Sequence, residues 1–159
     1  MTLSSTSSPR LQHPMLVVED SDEDFEAIQR FVRRSPVKVP VQRCVNGEQA
    51  LALLSRTALL DGPDEDQAPA LIVLDLNLPG TDGRDILRQI KQDARLKEIP
   101  IMIFTTSSNP KDMQDCYSLG VSRYIVKPID YEQLKRDIQS LIDYWVDLTH
   151  PPESPEPSP

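Results

Sequence analysis

Polar residues whose side chains could take part in a reaction follow four apolar stretches of this sequence, at the points where the stretches end. Glu19 and Asp20 follow MLVV, Asp75 follows LIVL, Thr105 follows IMIF and Lys127 follows YIV. Burying a charge is costly unless the charge is paired or bound to a metal. Asp75 therefore either caps a turn or belongs to a site at the end of a buried strand.

Three carboxylates brought close together would need a cation. Two like charges about 4 Å apart repel each other by about 4 kcal/mol at an effective dielectric constant of about 20. Glu19, Asp20 and Asp75 offer hard oxygen ligands with no His or Cys nearby, which favours Mg²⁺. With a divalent metal, the ammonium of Lys127 and the hydroxyl of Thr105, these carboxylates would form a phosphoryl-transfer site in which Asp75 would be the nucleophile.

The spacing of the apolar residues predicts alternating strands and helices. A Pro in the second strand, Pro40, restricts that strand to an edge of the sheet. The alternation predicts a doubly wound α/β fold, in which helices cover both faces of a five-stranded parallel sheet. Ligands of such sheets bind beyond the carboxyl ends of the strands, where the polar residues meet. The strands are predicted at 15–19, 37–45, 70–75, 99–105 and 122–127, and the helices at 20–34, 46–56, 83–93, 109–120 and 130–148.

Length and composition indicate the domain organisation. A chain of 159 residues that is 38% hydrophobic predicts one globular domain with tails. Residues 1–14 are rich in Ser, Thr and Pro, and residues 149–159 are rich in Pro, so both segments are expected to be disordered. The folded domain is therefore expected at 15–148.

Charge and hydropathy argue against several function classes. The net charge of −8 disfavours a nucleic-acid or anionic-membrane partner. No apolar run approaches the roughly 18 residues that span a bilayer, and the N-terminus lacks a signal pattern, so a cytoplasmic location is expected. Cys44 and Cys116 have no metal-ligand spacing and are expected to be buried thiols. His13 and His150 lie in the tails, where neither is expected to act as a base.

Four motifs, in this order along the chain, resemble the receiver domain of response regulators in bacterial two-component signalling. They are VVED (17–20), LIVLDLNLPGTDG (71–83), IFTTS (103–107) and YIVKP (124–128). The resemblance covers essentially all of 15–148. It implies a (βα)₅, flavodoxin-like receiver fold with strand order 2-1-3-4-5, Mg²⁺ as cofactor and the phosphohistidine of a sensor histidine kinase as donor.

The resemblance also implies roles for individual residues at the metal. Asp75 matches the phosphoacceptor, which also binds the metal. Glu19 and Asp20 match the acidic pair, with Asp20 binding Mg²⁺ directly and Glu19 binding it through water. Asn77 stands where the family gives a backbone carbonyl to the metal.

The remaining implied roles concern catalysis and switching. Lys127 matches the lysine of the family, with its peptide bond to Pro128 expected to be cis. Thr105 matches the hydroxyl that turns onto the new phosphoryl group. Tyr124 matches the aromatic residue that swings inward as Thr105 moves, although a half-buried strand aromatic is the alternative for this position.

The sequence leaves the roles of Thr106 and Ser107 open. Thr106 and Ser107 are either small enough to admit the phosphodonor or are merely loop residues. Asn77 and Ser107, each two residues beyond a site residue, are expected to tune the lifetime of the phosphoryl group.

The last predicted helix carries more apolar residues than one core face needs. A helical stripe predicts core positions at Leu134, Ile138, Leu141, Ile142 and Trp145. Tyr144, Val146 and Leu148 lie on other faces and either pack under the tail or form an interface, which is the favoured interpretation. A homodimer through the face of the fourth helix, fifth strand and last helix would then respond to phosphorylation.

The acidic loop at 57–69 and the motif LIDYW in a long last helix resemble a narrower group. This group comprises small regulators without an output domain, paired with phytochrome-type, light-sensing histidine kinases. We therefore expect a single-domain response regulator that signals through protein–protein contacts. It would be a phosphoacceptor that catalyses its own phosphoryl transfer and slow autodephosphorylation, rather than a conventional enzyme.

Three alternatives remain beside the receiver. A haloacid-dehalogenase-like aspartyl-phosphate phosphatase needs a DxD motif, and Asn77 replaces its second acid. A pseudo-receiver would bind partners without phosphorylation, although every acceptor and metal position is present. A DNA-binding regulator is disfavoured because only a Pro-rich tail follows the domain. Transfer onward to a histidine phosphotransfer protein is left open by the sequence.

Overall fold

A computed structural model describes residues 13–59 and 68–150 of the protein. Five strands alternate with five helices along this part of the chain. In order they are β1 (Met15–Val18), α1 (Asp22–Arg34), β2 (Val41–Cys44), α2 (Gly47–Leu59), β3 (Leu71–Leu74), α3 (Gly83–Gln92), β4 (Ile101–Thr105), α4 (Pro110–Ser118), β5 (Arg123–Val126) and α5 (Tyr131–Thr149).

The strands form one parallel sheet in the order β2-β1-β3-β4-β5. Every residue of β1, β3 and β4 is buried, which accounts for their unbroken apolar runs. β2 lies at an edge, as Pro40 predicted. The expected doubly wound fold and its strand order are therefore confirmed.

Side chains alternate between the two faces of the sheet, and each face has its own core. Leu16 and Ile72 point toward the core formed with α2, α3 and α4. Their neighbours Val17 and Val73 point toward the core formed with α1 and α5. Because both faces are apolar, polar side chains can gather only at the ends of the strands.

Several elements begin later than the sequence predicted. α1 begins at Asp22 because the Ser21 hydroxyl accepts a hydrogen bond from the backbone N–H of Asp24 and caps the helix. Glu19, predicted to end the first strand, and Asp20, predicted to begin the first helix, therefore both lie in the β1–α1 loop. β2 begins at Val41 because Pro40 has no N–H and contributes only its carbonyl, which accepts from the N–H of Met15.

The described fold extends slightly beyond 15–148 at both ends. The carbonyl of His13 accepts a 2.9 Å hydrogen bond from Nε1 of Trp145, and the carbonyl of Pro14 accepts one from Ala70. Thr149 is fully buried within α5. The rest of the two segments expected to be disordered, 1–12 and 151–159, lies outside the described residues, as does most of the acidic loop (60–67).

Two further expectations can be compared with the described part of the chain. Cys44 and Cys116 are buried free thiols, as predicted. Among the described helices, none combines the length and the apolar character needed to cross a membrane.

Candidate functional site

The carboxyl ends of β1 and β3 bring two acids together. Val18 pairs with Leu74 across the two strands, so the next residues, Glu19 and Asp75, leave the sheet side by side. Both side chains are buried, with residue exposures of 2% for Glu19 and 4% for Asp75. Burial is the largest influence on Glu19 and raises its pKa to about 7, although a hydrogen bond from Lys127 opposes the shift.

Asp20 completes a group of three carboxylates. One oxygen from each of Glu19, Asp20 and Asp75 lies within 4.8 Å of the other two. Asp20 is exposed while the other two are buried, so the cluster is open to solvent on one side. An all-oxygen set with one open side suits a divalent cation that keeps several of its waters.

Lys127 places its ammonium against this cluster from β5. Its Nζ lies 2.6 Å from Oε1 of Glu19, 2.7 Å from Oδ2 of Asp24 and 2.9 Å from Oδ2 of Asp75. Burial by itself lowers the pKa of Lys127, but the three carboxylates outweigh that effect and raise it. The lysine therefore stays protonated and places a positive charge beside the predicted phosphoacceptor.

Asp24 was not among the predicted site residues. An acidic residue in the first turn of a helix, where Asp24 lies, is usually explained by capping or by the helix dipole. The contact with Lys127 joins residues 103 positions apart in the chain, so no local pattern could have revealed it.

Arg43 is a second residue that the sequence did not indicate. From β2, its Nε donates to the carbonyl of Glu19 at 3.1 Å and its Nη2 donates to the carbonyl of Asp20 at 3.2 Å. The guanidinium also pairs with Asp22 at 2.8 Å and lies 4.7 Å from the ring centroid of Phe25. Arg43 thus fixes the backbone of the loop that carries two of the three clustered acids.

Asn77 links the turn after β3 to β4. Its backbone N–H donates to Oδ1 of Asp75 at 3.0 Å. Its side-chain amide donates to the hydroxyls of Thr105 at 3.4 Å and Thr106 at 3.1 Å. The contribution of its backbone carbonyl to a metal remains a prediction.

Thr105 is fully buried at the end of β4, and its carbonyl accepts from the N–H of Lys127 at 2.7 Å. Beyond it, Ser107 is more than a loop residue. Its hydroxyl donates to Oδ2 of Asp112 at 2.6 Å, and its carbonyl accepts from the hydroxyl of Tyr124 at 2.8 Å. Tyr124 already lies inward in this structure, with 7% of the residue exposed, so its predicted swing remains a prediction.

An ion pair holds the start of α4 against α3. Arg84 donates through Nε to Oδ1 of Asp112 at 2.7 Å and through Nη2 to Oδ2 at 2.5 Å. The hydrogen bonds from Arg84 and then Ser107 lower the pKa of Asp112 to about 2. The segment after Thr105 is therefore tied to two helices by polar contacts.

Two glycines allow the turn that follows Asp75. Gly80 has a φ of 77°, a conformation that side chains disfavour. A Cβ on Gly83 would lie 2.4 Å from the carbonyl oxygen of Asp75. The Lys127–Pro128 bond was expected to be cis, but that expectation is wrong: the described residues contain only trans peptide bonds, which X–Pro sequences also prefer.

Tyr144, Val146 and Leu148 have intramolecular partners other than the tail that the sequence suggested, most of which lies outside the described residues. All three are half-buried and pack against the core shared by α1 and α5. Tyr144 also donates a 2.8 Å hydrogen bond to Ser122. Intramolecular packing therefore accounts for them, and a role in self-association stays a prediction.

The exposed large apolar side chains of the described residues lie elsewhere, and they include Val45, Tyr117 and Tyr131. Ile129 is fully exposed and lies two residues after Lys127 in the chain. Ile129 was not among the predicted site residues, although it is an apolar residue directly after the KP motif.

Comparison with known proteins agrees with this geometry. The sequence profile of the response regulator receiver domain matches residues 15–139. The response regulator Rcp1 of Synechocystis sp. is 34% identical over 133 residues, covering 84% of this chain and 88% of Rcp1. The probable methanogenesis regulatory protein FilR2 of Methanothrix harundinacea is 33% identical over 138 residues, covering 87% of this chain and 86% of FilR2.

Two solved structures are similar over most of their length. The phosphorylated cyanobacterial phytochrome response regulator RcpA superposes with a TM-score of 0.74 at 34% identity, covering 85% of this chain and 94% of RcpA. The Mn²⁺-bound form of Rcp1 superposes with a TM-score of 0.75 at 33% identity, covering 90% of this chain and 99% of that one.

Proposed function

Because this chain belongs to the response regulator receiver domain family, we propose that Asp75 accepts a phosphoryl group from a histidine kinase. The observation that carries the proposal is the Asp75 carboxylate, which is buried against Lys127 at 2.9 Å and grouped with Glu19 and Asp20. In the reaction, an oxygen of Asp75 bonds to phosphorus as the P–N bond of phosphohistidine breaks. The electron pair of that bond stays on the imidazole nitrogen.

We propose Mg²⁺ as the cation that Glu19, Asp20, Asp75 and the carbonyl of Asn77 hold. When bound, it would neutralise charge on the transferring phosphoryl group. Support comes from the all-oxygen donor set and from the Mn²⁺ bound to the related Rcp1. Lys127 supplies a further positive charge, and Thr105 supplies the hydroxyl that reports the phosphorylated state.

A phytochrome-type kinase is the proposed donor. RcpA is a phytochrome response regulator, and it resembles this chain over most of both lengths. Ile129 is an exposed apolar residue two positions after Lys127, whose Nζ lies 2.9 Å from Asp75, and it is the proposed contact for the kinase. The exchange would take place in the cytoplasm, and the output would be altered protein contacts.

Two other functions find less support. In a haloacid-dehalogenase-like phosphatase, the second acid of the DxD motif would act as a general acid, but here Asn77 uses its amide to donate to Thr105 and Thr106. A pseudo-receiver would not need the full set of acceptor, lysine and carboxylates that this chain has.

The direct test is phosphorylation by acetyl phosphate with Mg²⁺, read as intact mass, with Asp75→Asn as the control. We expect one phosphoryl group on the parent and none on the variant. A parent that binds Mg²⁺ but gains no mass and releases no phosphate would be a pseudo-receiver. The same phosphorylation on both proteins would place the acceptor elsewhere.

The kinase and the output need separate experiments. Phosphotransfer profiling against purified histidine kinases should favour a phytochrome-type donor, and equal transfer from all kinases would contradict the pairing. Light scattering with and without acetyl phosphate tests the proposed homodimer through α4, β5 and α5. Incubation of phosphorylated protein with a histidine phosphotransfer protein tests onward relay.

A further inference from the structure

The ammonium of Lys127 has three N–H donors, and each has a carboxylate acceptor in this structure. The acceptors are Oε1 of Glu19 at 2.6 Å, Oδ2 of Asp24 at 2.7 Å and Oδ2 of Asp75 at 2.9 Å. All three N–H donors of Lys127 are therefore occupied by carboxylates. Contact with a phosphoryl oxygen requires it to release at least one carboxylate.

Two of these three acceptors also belong to the candidate cation site. Glu19 and Asp75 contribute oxygens to the cluster, whereas Asp24 does not. A cation held by Glu19 and Asp75 would compete with Lys127 for their oxygens and repel its charge. Asp24 is the acceptor that remains available to Lys127 once that competition begins.

From this arrangement we propose that Asp24 is a positioning residue for Lys127. It holds the ammonium at the site while Lys127 moves its other donors from Glu19 and Asp75 to a phosphoryl oxygen. The inference rests on the proposed function of Asp75. Without Asp24, the flexible lysine stem would be held only by the carboxylates that the cation needs.

The surroundings of Asp24 suit this role. Its backbone N–H donates to Oγ of Ser21 at 3.2 Å, so the helix cap fixes its main chain independently of Lys127. Its side chain is 39% exposed, whereas that of Lys127 is 10% exposed. A substitution at Asp24 therefore changes the partner of the lysine while leaving the buried core in place.

The test compares Asp24→Asn, Asp24→Glu and a matched control, Glu23→Gln. Glu23 is the exposed neighbour of Asp24 in the same first turn, so its substitution removes the same charge from the same helix end. Two quantities are measured: the initial rate of Asp75 phosphorylation by acetyl phosphate at saturating Mg²⁺, and Mn²⁺ affinity of the unphosphorylated protein by electron paramagnetic resonance.

We expect Asp24→Asn to slow phosphorylation about tenfold, because small displacements of a positioned group have effects of this size. We expect Mn²⁺ affinity to fall several-fold, because Lys127 then has only cation-site carboxylates as partners. Asp24→Glu should restore part of the phosphorylation rate and part of the Mn²⁺ affinity. Glu23→Gln should stay within about twofold of the parent, since an exposed charge contributes little.

Equal behaviour of Asp24→Asn and Glu23→Gln, with the parent phosphorylated on Asp75, would overturn this inference while leaving the proposed function intact. A parent that is never phosphorylated would instead defeat the proposed function. If Asp24→Asn loses thermal stability, Asp24→Glu decides the question: a folded Asp24→Glu protein no better than Asp24→Asn would contradict positioning.

Discussion

The hydroxyl of Tyr124 donates a 2.8 Å hydrogen bond to the backbone carbonyl of Ser107, two residues beyond Thr105. The contact joins β5 to the β4–α4 loop on the side of the sheet away from Lys127. This hydrogen bond thereby couples the inward ring of Tyr124 to the loop that follows Thr105.

Removal of this hydroxyl should loosen the loop. We expect Tyr124→Phe to lower the free energy of unfolding by about 1 kcal/mol, the usual value of one hydrogen bond. Amide hydrogen exchange near Ser107 should rise. Tyr117→Phe is the matched control, because its hydroxyl accepts from the backbone N–H of Tyr124 instead. Equal exchange near Ser107 in the two variants would argue against the coupling.

The ion pair between Arg84 and Asp112 should give a pH-dependent contribution to stability. The folded state lowers the pKa of Asp112 from 3.8 to about 2, so the contribution is present above 3.8 and disappears as pH falls toward 2. We expect Asp112→Asn to cost about 1–2 kcal/mol at pH 7, because paired hydrogen bonds to an arginine are strong.

Chemical denaturation of parent and variant at several pH values measures this difference. The difference in free energy of unfolding between the parent and Asp112→Asn should disappear as the pH falls from 4 to 2. Asp85→Asn is the control, because Asp85 forms an exposed pair with Arg88 that is expected to contribute little. A difference that is unchanged at pH 2 would contradict the assignment to Asp112.

Asp20 should affect metal affinity far more than stability. It is exposed and lies among like charges, so Asp20→Asn relieves repulsion while removing a ligand. We expect Mn²⁺ affinity to fall about tenfold or more and the melting temperature to stay or rise. Addition of a chelator to the parent should abolish phosphorylation by acetyl phosphate. Full Mn²⁺ affinity in Asp20→Asn would remove Asp20 from the ligand set.

Substitution of Ile129 should slow phosphoryl transfer from the histidine kinase but not from acetyl phosphate. We expect Ile129→Asp to slow transfer from a phosphorylated phytochrome-type kinase about tenfold, as central apolar contacts of interfaces often do. Its rate with acetyl phosphate should match the parent. Val45→Asp is the control, because Val45 is also exposed but directly follows β2, the opposite edge strand of the sheet. Equal losses with both donors would indicate damage to the site instead of lost docking.

The fold and the main residues of the candidate site could be predicted from the order of the amino acids. Apolar runs such as LIVL are buried on both faces of the sheet, and this pattern predicts a parallel sheet covered by helices. Because the carboxyl ends of parallel strands meet at one edge, residues that follow the strands must gather there. Glu19, Asp75 and Lys127 could therefore be placed together from position alone.

The other residues of the site could be identified only after the elements had been placed in three dimensions. Asp24 contacts Lys127 from 103 residues away, and Arg43 reaches the backbone of Glu19 from the edge strand. Both looked like ordinary surface charges, because a contact between residues far apart in the chain leaves no periodic pattern in the sequence. Their roles depend on side-chain directions, which are fixed only once distant elements pack against one another.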